Sequence, residues 1–258
     1  MSDWNTLHLF NSKVFHSKIV PDLKGDGIIL SKYFNSTLGQ SILYDNSNSK
    51  ERIDKIIAFC NDFDPQFKCH KAKYSLETRK RKISESYADF RNNISEEEKD
   101  FEKKYNAVIH DLSMILTLII FAECAIYNPH LILGRRTFSG CIHGKKGSIA
   151  ENCCDKIICR DRGSLFITGT EGIINWLTNE DVQLLALDKD NLFANSDETN
   201  SYLIDFLNFL QLALENDYGF ISVTNINEST IQMIEKPKFS IEVDMVKMGF
   251  ESVIWAKY

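Results

Sequence analysis

The chain has 258 residues, 43% of them hydrophobic and 26% charged, which is the balance of a soluble globular protein able to bury a large core without disulfides or a metal. Collagen-like, fibrous and disordered classes are excluded. A net charge of −6 argues against a dedicated nucleic-acid or anionic-membrane binder held by bulk charge.

The opening segment Met1-Ser-Asp-Trp-Asn-Thr-Leu-His-Leu-Phe10 has no basic n-region, continuous apolar core or small-residue cleavage site, so a cytoplasmic protein is expected. Seven cysteines, an odd number, then read as reduced thiols. Asp45–Ser49 reads as a loop, with Asn48 as N-cap and Glu51 as capping-box partner of a helix over 50–63. Ile53, Ile56, Ile57 and Cys60 share one face of that helix. A more polar helical region follows over 66–92, where the run Arg79-Lys-Arg-Lys82 reads as a solvated face balanced by Glu77 and Glu85.

The spacing predicts a long central helix over about 95–127. Ser95 and Glu98 form a capping box, and acidic Glu96, Glu97 and Asp100 suit the positive end of the dipole. Phe101, Tyr105, Val108, Leu112, Ile115, Ile119, Ala122 and Ile126 follow a 4-3 spacing that Pro129 ends. The apolar stretch Met114–Ala122 is far shorter than the roughly 20 residues that cross a bilayer, so it reads as a helix entering the core.

Charge divides the chain unevenly. Residues 1–133 carry eighteen basic and eighteen acidic side chains, 134–163 seven and three, and 164–258 five and fifteen. Seven of the 12 glycines and four of the seven cysteines lie within 134–172, so this part reads as an irregular connector or a small subdomain. Past it, the pattern predicts a strand at Leu165–Thr168, a helix capped by Thr170 and running to Trp176, a strand at Val182–Leu187, and an amphipathic helix capped by Ser201. Further strands are expected at Gly219–Val223, Phe239–Val243 and Ser252–Trp255. The fold class is therefore α+β, one domain spanning 1–258 in which an N-terminal helical layer packs on a small C-terminal mixed β-sheet. Its parts are the helical 1–133, the basic Gly/Cys-rich insert 134–163 and the acidic α/β part 164–258.

Candidate chemistry is sparse. Cys141, His143, Cys153 and Cys159, with Cys154 adjacent, are ligand types that suit tetrahedral zinc, but they lack the paired two-residue knuckles of zinc modules, and clustered free thiols in a packed loop are preferred. No other cofactor is indicated. Arg135, Arg136, Lys145, Lys146, Arg160 and Arg162 could meet a phosphate, with Gly144-Lys-Lys-Gly147 exposing backbone N–H groups, although the P-loop spacing is absent. The six histidines fall in no catalytic frame; His110 reads as exposed, and His130, before the arginine pair, is the first to mutate. Asp188-Lys189-Asp190 is an incomplete nuclease-like grouping.

Glu180, Asp181, Asp188, Asp190, Asp197 and Glu198 surround one expected strand and its loop. This density favours a non-catalytic cytoplasmic binding protein that engages a basic protein partner through its acidic last third. An immunity protein neutralising a cationic toxin is its narrowest form. The alternative is a nucleic-acid- or nucleotide-processing factor using the insert 134–163; no membrane partner is expected.

Overall fold

The computed structural model describes residues 5–43, 47–62, 96–131, 141–157, 172–224, 231 and 234. The architecture is α+β. Strand β1 (Asn5–Phe10) leads into a continuous helical run α1 (12–24), whose middle turn Phe15–Ile19 is π-helical, then α2 (Ile28–Phe34), α3 (Thr37–Ile42) and α4 (Ser49–Asp62). The long helix α5 (Glu96–Glu123) and strand β2 (Ala125–Leu131) complete the N-terminal half. Then come β3 (Ile142–Gly144), α6 (Ile149–Ile157), β4 (Gly172–Leu177), α7 (Asn179–Leu187), β5 (Leu192–Ala194), α8 (Asn200–Glu215) and β6 (Gly219–Thr224).

The sheet has the order β2-β1-β6-β4. Every pairing in it is antiparallel rather than mixed, and β1 and β2 bring in the N-terminal half. Helices cover both faces. Phe10, Ile173, Ile221 and Val223 point into a core shared with α1, α2, α4 and α5, whereas Leu7, Leu9, Leu177 and Phe220 point into a second core with α6, α7 and α8. An antiparallel sheet normally leaves one face wet and alternates accordingly.

Helix α5 spans about 42 Å at 1.5 Å per residue. Of its expected stripe, Val108, Leu112, Ile115, Ile119 and Ala122 are buried. The helix stops at Glu123, four residues short of the expected end, because Ile126 belongs to β2. Pro129 lies inside this strand, at a register slip between the pairs His8–His130 and Leu9–Ile126. A bulge tolerates the missing N–H that a regular ladder would need. Helix α4 matches its expected span within a residue at either end. Its preceding Asn48 has a left-handed φ of 51°, and Glu51 takes Lys55 at 2.6 Å.

Two elements differ in kind from expectation. Residues 172–177 form β4 where a helix was expected, and Val182–Leu187 belongs to α7 where a strand was expected. Thr178 explains the second: its hydroxyl accepts from Asp181 N while Asp181 accepts from Thr178 N, a reciprocal cap. Asn179, Val182 and Leu185 then fall on one buried face. Helix α8 begins at Asn200, after Thr199 rather than at Ser201, and β6 is as expected with one added residue. The expected elements at 66–92, 165–168, 239–243 and 252–255, and the Ser95 cap, lie outside the described residues.

Within the insert, residues 141–157 hold strand β3 and helix α6, the second of the two expected alternatives rather than an irregular connector. Ala150, Cys153, Cys154 and Ile157 recur at i, i+3, i+4 and i+7 on the buried face of α6. Strand β3 passes so close to this helix that a Cβ on Gly144 would lie 2.0 Å from Glu151 N.

Candidate functional site

Residues 179–217 carry nine acids and a single base, Lys189. They form α7, the turn Lys189–Asn191, β5, the turn Asp197–Thr199 and α8. The six acids singled out from the sequence divide by what they touch. Asp181 caps its own helix and also receives Lys156 Nζ at 2.9 Å. Asp188 accepts from Ala150 N (2.8 Å) and Asn191 Nδ2 (2.6 Å), so its carboxylate sits at the N-terminus of α6. The Ala150 N–H, followed by the Asn191 amide, holds Asp188 below the usual carboxylate range. Glu180, Asp190 and Asp197 are exposed. The side chain of Glu198 lies outside the described residues.

Two more acids of this unit are structural. Asp205 is buried on α8. Asp217, at a left-handed φ of 54°, pairs with Lys13, and that ion pair holds its carboxyl below its ordinary value. Buried Asn179 joins Asp217 to the start of α1: its Oδ1 accepts from Ser12 N (3.1 Å) and Ser12 Oγ, its N–H donates to Ser12 Oγ (3.0 Å), and its Nδ2 donates to Asp217 O. Asn179 and Ser12 thus tie the start of α7 to the start of α1.

The acidic unit also contains a groove of about 230 Å³ lined by Ala186, Lys189 and Asp190 on one side and Leu207, Leu210, Gln211 and Leu214 of α8 on the other. Helix α7 also turns Leu184 and Leu187 outward, 46% and 86% exposed. The sequence reading missed these residues because it assigned Val182–Leu187 to a strand. The Thr178-Asn-Glu-Asp181 capping pattern was the available signal.

The phosphate-binding alternative meets an occupied loop. Gly147, at φ 81°, gives its N–H to Glu151 Oε2 at 2.6 Å, Ser148 Oγ accepts from Glu151 N at 3.0 Å, and Asp188 takes Ala150 N. The chain's own carboxylates hold the groups that would face an anion. Lys145 and Lys146 are exposed; Arg135, Arg136, Arg160 and Arg162 lie outside the described residues.

Of the zinc reading's described residues, Cys141 lies in the turn before β3, His143 on β3, and Cys153 and Cys154 on α6. Cys153 is buried on α6 and burial pushes its thiol up to about 12, which disfavours the thiolate a metal needs. His143 on β3 accepts from Asn195 Nδ2 at 2.9 Å and lies over Phe193, with ring centroids 5.8 Å apart. Among the described residues no group of three or more His, Cys, Asp or Glu side chains is placed to hold a metal ion; Cys159 lies outside them.

His130 is buried beside His8. The two are cross-strand partners with ring centroids 4.9 Å apart. Both Nδ1 atoms donate to the Tyr127 carbonyl, at 3.0 Å from His8 and 2.9 Å from His130, and Thr6 Oγ1 donates to His8 Nε2 at 2.8 Å. A carbonyl only accepts, which fixes the Nδ1–H tautomer of neutral His8. Burial first, then His130, keeps the His8 pKa well below its ordinary value. The pair therefore staples the β2 bulge. His110 is partly exposed on α5, with Nδ1 3.9 Å from Asp111.

Among the described residues no helix is long and apolar enough to cross a membrane. Comparison with protein-family models, with curated proteins and with solved structures finds no match to this chain.

Proposed function

We propose that this chain is a non-catalytic binding protein whose acidic unit engages a basic protein partner, with an immunity protein that covers a cationic toxin as the narrowest form of that reading. The observation that carries it is the one base set against nine acids over 179–217, in a unit that also exposes Leu184 and Leu187. Glu180, Asp190 and Asp197 stand exposed there, so the free protein bears a self-repulsion that a cationic surface relieves, and the same field accelerates encounter. Support also comes from the insert, where Glu151 and Asp188 already fill the anion-facing N–H groups. That occupancy weighs against a nucleotide-processing role.

Affinity purification of the full chain at low and at high salt tests the proposal. The expected outcome is a co-eluting protein with a basic surface, retained at low salt and released at high salt. Reproducible co-elution of a nucleotide or nucleic acid in its place would overturn the reading.

A further inference from the structure

Strand β2 ends the described sheet, whose order is β2-β1-β6-β4, and its ladder to β1 is interrupted. Strand β6 pairs with β1 without a break from Asn5 to Phe10. On the other side of β1, Leu9 meets Ile126 and His8 meets His130, so residues 127–129 bulge from the ladder between those pairs. Side chains close the gap: His8 Nδ1 from β1 and His130 Nδ1 from β2 both donate to the Tyr127 carbonyl, at 3.0 and 2.9 Å. We infer that the His8–His130 pair is a proton-operated latch, which holds β2 on β1 while neutral and lets β2 go when His8 takes up a proton.

The lone pair that takes the proton is that of His8 Nε2, which now accepts from Thr6 Oγ1 at 2.8 Å. A proton there turns the acceptor into a donor, and the Thr6 hydroxyl must turn its own hydrogen away. The new charge is also enclosed. His8 is buried, with His130 and Tyr127 against it from β2, the Phe121 ring of α5 edge-on at 4.8 Å, and Ile221 opposite it on β6. Thr6 and Phe10 share its face on its own strand. Of these neighbours, the Tyr127 phenol stays neutral in acid, and His130 charges with the same sign. Burial, then His130, therefore oppose the proton in the closed form. Moving β2 away parts the two imidazoles and admits water, while β1 remains held by β6. The proton thus favours the released strand, and release bares the edge of β1 that β2 covers.

Native-state hydrogen exchange on the full chain tests the latch. Amides of Ala125–Leu131 are followed against those of Gly219–Thr224 at about pH 7.5 and about pH 5.5, each over a series of low urea concentrations, with rates corrected for the intrinsic effect of pH on exchange. Local release exposes little surface, so β2 exchange is expected to be nearly flat in urea, whereas β6 exchange steepens with unfolding of the whole chain. Protection of β2 should fall about tenfold from the higher to the lower pH, the gain from one imidazole that titrates near 6.5 once released. His8→Gln keeps a donor and an acceptor but does not titrate, and it should cut that pH effect to less than about threefold. His143→Gln, on β3, should retain the full change. His8→Phe, which keeps a ring against Phe121, takes the place of His8→Gln if circular dichroism shows that variant unfolded, with the same outcome expected.

Equal protection and equal urea dependence of β2 and β6 in the native chain would overturn the latch and leave only an acid sensitivity of the whole fold. A pH effect on β2 that survives replacement of His8, or that vanishes in His143→Gln, would overturn His8 as its trigger.

Discussion

On the α1–α5 face of the sheet, charges that approach the core are matched where they stand. Arg52 makes a two-pronged pair with Asp111 (Nε–Oδ2 2.8 Å, Nη2–Oδ1 2.7 Å) and its guanidinium lies 5.2 Å from the Phe34 ring centroid. Glu123, only 2% exposed at the C-terminus of α5, receives Lys18 Nζ and Tyr33 OH, each at 2.7 Å, with Lys32 at 4.0 Å. An acid at that end of a helix faces the negative pole of the dipole, so these cations and the hydroxyl offset a position that would otherwise be unfavourable. On the α6–α8 face Asp181, Asp217 and Asp188 are likewise matched, by Lys156, Lys13 and the α6 N-terminus, while Glu180, Asp190 and Asp197 remain on the surface. Matched charge marks what holds the fold; the acidic excess is where the proposed partner would add its own charge.

The largest effect should follow from breaking a match. Arg52→Met keeps the apolar stem but leaves Asp111, 13% exposed, without its guanidinium. A loss of about 3 kcal/mol is expected, read as a lower urea midpoint with unchanged m-value. The double variant Arg52→Met/Asp111→Leu should recover much of it, because removing both charges removes the stranded one. A single variant as stable as the native chain would show the pair to be a surface contact of no consequence.

A smaller effect is pH-dependent and belongs to the sheet between the two faces. His8 is neutral when buried and titrates near 6.5 when unfolded. Below that pH the unfolded chain binds the extra proton, so the contribution of neutral His8 is whole above about 6.5 and is lost as pH falls toward the depressed folded value. His130 and Tyr127 face it, with ring centroids 4.9 and 5.5 Å away, and the His130 charge opposes rather than offsets protonation. The expected slope is a loss of about 1.4 kcal/mol per pH unit for one proton, measured by urea titration between about pH 6.5 and 5.5. His8→Gln, which retains a donor and an acceptor, should flatten that slope; an unchanged slope would place the acid sensitivity elsewhere.

Legibility followed the strength of periodicity. The stripe of α5, the face of α4 and the leucines of α8 were readable because each runs over several turns. The apolar run Val182–Leu187 was too short to separate helix from strand, and the sheet buried on both faces removed the alternation that would have marked Gly172–Leu177. Ile126 continued the helical spacing by coincidence, and Pro129 looked like a stop because nothing local announces a bulge. At the candidate site the acidic excess was visible in the sequence. Which acids are structural was not, because Asp188 meets Ala150 across 38 positions and only the packing of α6 against α7 brings them together.

The smallest effect on stability, and the one that divides the acids most directly, contrasts Asp188 with its exposed neighbours. Asp188→Ala removes the acceptor for Ala150 N, so a measurable fall in Tm is expected at neutral pH. Its folded pKa is depressed; the difference from the native chain should be present above the unfolded value of about 3.9 and vanish as pH falls through the lower folded value. Reversing Glu180, Asp190 and Asp197 to Lys together should change stability by no more than about 0.5 kcal/mol per site, since the three are exposed. The same triple variant should slow association with the basic partner about tenfold at low salt and much less at high salt, because it inverts the field that steers encounter. Wild-type association by the triple variant, or an Asp188→Ala chain as stable as the native one, would dissolve the division between acids that hold α6 in place and acids that face a partner.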